Sequence, residues 1–167
     1  MNPEEEEFRT YRGYDLEARE EQILTPSMED YLEMIYRLSR EHGHTRVKDL
    51  ARALNVKPPS VTGMAQRLHR RRLIRYEKYG LIRMTAYGRE MGRKLLERHR
   101  MLESFFSAIG VRGGILQNVE RIEHNLTPEA ARCLHILVDY IQDNPAWFRP
   151  FQEHCLRLLR KEGGEKV

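Results

Sequence analysis

The stretch "TRVKDLARALNVKPPSVTGMAQRLHRRRL", residues 45–73, restricts the fold more than any other part of the chain. Val47, Leu50, Ala51 and Leu54 recur at helical spacing, and so do Val61, Met64, Ala65 and Leu68. Between the two stripes, a break at Val56–Lys57 leads into Pro58–Pro59, a pair suited to the start of a second helix. Thr45 is positioned to cap the first of these helices. Two short helices joined by a tight turn form a helix-turn-helix pattern.

The flanking segments extend this pattern. In "TPSMEDYLEMIYRLSREHG", Thr25 is a helix cap and Pro26 a first-turn residue. Tyr31, Met34, Ile35 and Leu38 form its apolar face, and Gly43 ends it. After the helix pair, Leu73–Tyr76 and Leu81–Met84 read as short strands with a turn at Lys78–Gly80. A hairpin in that place is a wing. The rest is helical: a long helix from Ala86 closed by Gly110, another through "GGILQNVERIEHNL", and two opened by Thr127–Pro128 and Asn144–Pro145. About seven helices and one hairpin are expected, with a frayed tail at "EGGEKV". Residues 1–23 are dominated by Glu and Arg and are expected to form a disordered or loosely helical acidic extension. Residues 24–88 are the expected winged domain, and residues 89–162 a helical body.

Charge is divided unevenly. From Arg46 to Arg100 there are sixteen Lys/Arg and four acids, a balance of +12; the whole chain is +4, so the remainder carries −8. A basic module on an acidic body suits a polyanionic partner; the plainer reading is a solvated, arginine-rich surface. The second helix of the pair presents Ser60, Thr62, Gln66, Arg67, Arg70 and Arg71 around its stripe, with Lys57 just before it. Short polar and cationic groups of this kind read base edges and phosphates. Arg75, Lys78 and Arg83 decorate the wing. Double-stranded DNA is the expected partner.

No run of 18 or more apolar residues is present, and "MNPEEEEF" lacks the apolar core of a secretion signal. Cys133 and Cys155 have no paired spacing and are read as reduced thiols. The expectation is a cytoplasmic protein with no membrane partner.

A second constellation is acidic. Glu120, Glu123 and His124 stand at i, i+3 and i+4 in "NVERIEHNL", within about 100° of one helix face. Asp30 and Glu33 lie three apart on the first helix, and the long helix adds His99, with Glu103 four residues on. Carboxylates crowded this way repel unless water or a cation lies between them. Oxygen donors with some imidazole suit Mn²⁺ or Fe²⁺ better than thiolate-preferring metals. Each residue also has a plainer role. Asp30 could complete a capping box from Ser27, and Glu33 could pair with Arg37. His99 could be an ordinary polar helix residue, and Glu120 and Glu123 could be exposed partners of arginines.

The runs "TPSMEDYLEMIY", "ARALNVKPPSVTGMAQRL", "YEKYG…MT", "ERHRMLESF", "IGV" and "VERIEHNL" occur in order over residues 24–143. Together they resemble the DtxR/MntR family of metal-dependent transcriptional repressors, most closely its manganese-sensing branch. The resemblance implies a mainly α fold: an N-terminal winged helix-turn-helix joined to an all-helical dimerisation domain. It also implies a homodimer that represses metal-uptake genes, with no small-molecule substrate. The implied metal ligands are Asp30, Glu33, His99, Glu120, Glu123 and His124, in a two-Mn²⁺ site with shared carboxylates. The iron-sensing branch carries Met at the position of Asp30 and Cys at that of Glu120, so the oxygen-rich set here favours Mn²⁺. Glu103 matches a ligand of an ancillary site in the iron-sensing branch. No partner histidine stands just before Glu120, and Glu103 stays outside the set. The wing turn "KYGL" has its glycine earlier than the family pattern. Two rivals remain: a winged-helix regulator answering to iron, another divalent metal or none, and a dimetal hydrolase, for which no nucleophile motif or phosphate loop is present.

Overall fold

The computed structural model describes residues 24–164. The predicted acidic extension, residues 1–23, and the end of the predicted frayed tail lie outside the described residues. The chain divides after Gly88 into two compact units. Seven α-helices and a three-stranded sheet are present among the described residues. The fold is mainly α, as the sequence predicts, and no described helix is long and apolar enough to cross a membrane.

In the first unit, helix α1 spans Pro26–Ser39. Its cap is Thr25, whose hydroxyl accepts from the Met28 amide at 3.4 Å. The cap position thus falls on Thr25 and not on Ser27. Strand β1 (Thr45–Arg46) comes next, then α2 (Val47–Ala53) and α3 (Pro58–Arg70). The turn between α2 and α3 closes on Asn55 at φ 53°, a left-handed conformation that Asn tolerates. The Val56 amide bonds back to the Ala51 carbonyl at 3.0 Å, which ends α2 as a Schellman turn does. Strands β2 (Ile74–Tyr76) and β3 (Leu81–Met84) flank a 3₁₀ turn at Lys78–Gly80.

One expectation fails here. Thr45 does not cap α2; the cap position falls on Arg46, without a side-chain bond. Thr45 is buried in β1 and pairs with Ile82, so the sheet is antiparallel with order β1-β3-β2. Strand pairing plus burial outweighs a single capping bond, which contributes about 1 kcal/mol. Beneath the sheet, α1 packs on α2 and α3. Leu32, Ile35, Leu50, Val61, Leu68, Leu73, Ile74 and Ile82 are fully buried. The predicted stripe of α3 is buried throughout, whereas Met34, Leu38, Val47 and Leu54 of the other two are half-buried and Leu32, outside the predicted face of α1, is in the core.

The second unit opens with most of α4 (Ala86–Ala108), followed by α5 (Ile115–Ile122), α6 (Pro128–Asp143) and α7 (Pro145–Gly164). Met101, Leu102, Val119 and Val138 form its core, with Phe105, Phe106 and Ile122 against them. Thr127 caps α6 by accepting from the Ala130 amide at 3.1 Å. Gln152 of α7 donates to the Ala108 carbonyl at 3.0 Å and satisfies the end of α4.

The wing is anchored to the start of α4 by a dense set of bonds. The Thr85 hydroxyl lies 2.8 Å from the Arg72 carbonyl and 3.0 Å from that of Leu73, and it accepts from the Gly88 amide at 2.9 Å. This brings the backbones so close that a Cβ on Gly88 would lie 1.9 Å from the Leu73 carbonyl oxygen. Gly88 therefore serves close approach rather than helix formation. Gly88→Ala should cost about 2–3 kcal/mol of stability through overpacking, read by chemical denaturation. A change below about 0.5 kcal/mol, the range of an ordinary surface substitution, would contradict this reading.

Candidate metal centre and nucleic-acid interface

In the first unit, Val61, Met64, Ala65 and Leu68 of α3 face inward. Ser60, Gln66, Arg67 and Arg70 are therefore left exposed, with Lys57 exposed at the cap position. Thr62 is half-buried, and its hydroxyl donates to the Pro58 carbonyl at 3.2 Å, so its remaining capacity toward a ligand is as an acceptor. Arg75 and Lys78 are exposed on the wing.

Arg75 and Arg83 are directly opposite each other across β2 and β3. Like charges in that register destabilise a strand pair. Glu77, 3.7 Å from Arg83, offsets part of the repulsion. A phosphate would offset more. Tyr79 stands at the wing tip, 93% exposed and at φ 60°. Nothing in the sequence pattern singles it out.

The acidic candidates have different surroundings. Asp30 and Glu33 are half-buried on one face of α1. Glu33 pairs with Arg37 at 2.5 Å, so its plainer role is real. The second unit gathers three of the other four. His99 and Glu123 are both buried, at 4% and 3% exposure, and His99 Nδ1 lies 3.0 Å from Glu123 Oε2. The half-buried His124 brings its Nε2 to 3.6 Å from Glu123 Oε1. Glu120 is exposed.

Helix α5 is shorter than the pattern suggests. It ends at Ile122, with Glu123 as its cap. The Asn125 side-chain amide donates to the Arg121 carbonyl at 3.0 Å, competing with continuation of the helix. His124 thus stands in the turn beyond the helix end.

Burial alone would push the Glu123 carboxyl up. The hydrogen bond and charge of His99, then the charges of His124 and Arg98, outweigh it and hold the group below its ordinary 4.5. Arg98 is a charged neighbour of this carboxylate that the sequence does not reveal. One arginine among many on a helix carries no signal of which carboxylate it faces. A buried carboxylate with two imidazoles beside it is a donor set of oxygen and nitrogen, and it fits a divalent cation of intermediate hardness.

A carboxylate held low by folding stabilises the protein above its unfolded value, and that contribution is lost as pH falls through the folded value. In metal-free protein, the stability gap between wild type and Glu123→Gln should therefore hold at about pH 5–6 and shrink below 4.5. Denaturation at several pH values measures it. A gap that widens on acidification would contradict the assignment.

Residues 23–81 match the family profile "Iron dependent repressor, N-terminal DNA binding domain". Residues 85–146 match "Iron dependent repressor, metal binding and dimerisation domain". The HTH-type transcriptional regulator MntR of Shouchella clausii (strain KSM-K16) is 46% identical over 121 residues, which is 72% of this chain and 85% of that protein. The protein of the same name from Geobacillus kaustophilus (strain HTA426) is also 46% identical, over 72% of this chain and 86% of its own length. Among solved structures, the manganese regulator SloR superposes with a TM-score of 0.61 at 27% identity, covering 70% of this chain and 55% of that one. ScaR with bound Zn²⁺ gives 0.57 at 28% identity, over 68% and 54%. The chain thus spans about half the length of these two structures.

Proposed function

The chain belongs to the iron-dependent repressor family, whose members are metal-dependent DNA-binding transcriptional repressors, and from that premise we propose that it answers to manganese and represses metal-uptake genes in the cytoplasm. The observation that carries this reading is the buried pairing of Glu123 with His99, beside His124. The names of the relatives support manganese over iron: two are MntR regulators, and SloR is called a manganese regulator. Asp30, Glu33 and Glu120 complete the proposed ligand set, which on this reading holds two Mn²⁺ per subunit.

A bound divalent cation supplies the positive charge that lets these carboxylates lie close together. The rest of the mechanism lies in where the ligands sit along the chain. Asp30 and Glu33 belong to the DNA-binding unit, and His99, Glu120, Glu123 and His124 to the other. Ligands drawn from both sets couple the two units. A dimer reads two half-sites at a fixed spacing, so coupling raises the fraction of competent dimers and with it the apparent affinity. The dimer itself is read onto the second unit, where Leu116, Ile136 and Trp147 are each more than half exposed. Large apolar groups in that number at a surface suit a partner copy. On the DNA side, Lys57, Ser60, Thr62, Gln66, Arg67 and Arg70 are assigned to the major groove and its phosphates, and Arg75 and Lys78 to the backbone.

Mn²⁺ should strengthen binding to duplexes selected from a random pool by tenfold or more, about 1.4 kcal/mol. Glu123→Ala should lose that response and remain dimeric by light scattering. Equal affinity in EDTA and in saturating Mn²⁺ would refute the reading, and a monomeric Glu123→Ala would give Glu123 a structural role instead.

A further inference from the structure

His99 presents a carboxylate to each ring nitrogen. Nδ1 lies 3.0 Å from Glu123 Oε2, and Nε2 lies 3.8 Å from Glu103 Oε1. Glu103 is one helical turn further along α4, at i+4, so the helix itself sets the spacing. The two carboxylates differ in burial. The Glu123 side chain is 4% exposed and that of Glu103 39%. Glu103 also lines an open groove of about 610 Å³ with Ser104, Ser107 and Leu116.

An imidazole binds a cation through one nitrogen only, and the other then carries the proton. Without metal, Glu123 as a carboxylate accepts, so Nδ1 donates. For a cation shared with Glu123, the nitrogen on that side must be free of its proton: a neutral ring moves its one hydrogen to Nε2, and a doubly protonated ring releases its second proton to water. Either way the ligating ring carries its hydrogen on Nε2. His99 is buried, so that N–H loses free energy without an acceptor. The Glu103 carboxylate, 3.8 Å from Nε2, is outside hydrogen-bond distance and needs a small side-chain adjustment to accept it.

We propose that Glu103 is a positioning residue for the metal centre: it accepts from His99 Nε2–H and so holds the ring with Nδ1 turned toward Glu123. Glu103 is then not a ligand. It selects the ring tautomer and orientation in which His99 can be one. Groups in this relation to a ligating histidine typically change metal affinity by about 10–100-fold. The inference rests on the reading of His99 and Glu123 as ligands.

The test is Mn²⁺ titration of the full chain, with Glu103→Ala, Glu103→Gln and Glu123→Ala beside wild type. Glu103→Ala should bind Mn²⁺ about tenfold more weakly or worse, with an unchanged melting temperature. Glu103→Gln keeps an acceptor oxygen but not the charge, and it should recover most of the affinity. Recovery separates hydrogen bonding from simple charge attraction. In wild type loaded with diamagnetic Cd²⁺, ¹⁵N spectra should show His99 protonated on Nε2 and metal-bound through Nδ1. Wild-type affinity in Glu103→Ala, equal losses in the Gln and Ala variants, or metal on Nε2 would each overturn the proposal. If Glu123→Ala also binds as wild type does, the ligand reading itself has failed. If only Glu123→Ala is impaired, that reading stands and the role of Glu103 falls.

Discussion

The buried hydrogen bond between His99 and Glu123 is the contact on which the second unit's chemistry depends. A carboxylate at 3% exposure would ordinarily take up a proton to escape the low dielectric. Here it is held ionised by the His99 ring and by the charges of His124 and Arg98. The core around Met101, Leu102 and Val119 places α4 and α5 so that His99 and Glu123 meet across them. The result is an anionic oxygen and imidazole nitrogens already together. A cation entering such a place displaces protons rather than building the site anew, and its binding is therefore linked to pH.

The first unit holds its own charges in tension. Arg75 faces Arg83 across the wing, and Lys57, Arg67 and Arg70 are exposed along α3. Each of these costs little in water, and together they raise the local positive potential. That potential gives affinity for any duplex; sequence is read by the groups that reach base edges. Gly88 and Thr85 matter because they hold the wing's strands against the start of α4, so that these cations keep their geometry.

Much of this was legible in the sequence, for physical reasons that differ from element to element. The stripes of α1, α2 and α3 announced themselves because a 3.6-residue period in apolar residues is the mark of a helix with one buried face. The cap at Thr25 and the helix start at Thr127–Pro128 were readable because a proline stands in the first turn of each helix. Strand β1 was not. Two residues carry no periodicity, and Thr45 before a helical stripe has the composition of a cap. The grouping of Glu120, Glu123 and His124 was visible as spacing, but spacing does not say where a helix ends or which residue is buried. Glu123 is buried and Glu120 exposed although they stand three residues apart, and α5 stops at Ile122, where the Asn125 side chain takes up the Arg121 carbonyl. The partnership of His99 and Glu123, 24 positions apart, needed tertiary structure to be seen.

The central claim is that metal occupancy and DNA binding are one coupled equilibrium. Coupling between two ligands is reciprocal, so DNA must change metal affinity by the same factor as metal changes DNA affinity. The direct measurement is Mn²⁺ affinity, read from the free-ion EPR signal, with and without a saturating selected duplex. The account predicts that the duplex tightens Mn²⁺ binding by the factor found for DNA in the reverse experiment. Identical Mn²⁺ affinities in the two titrations would contradict it.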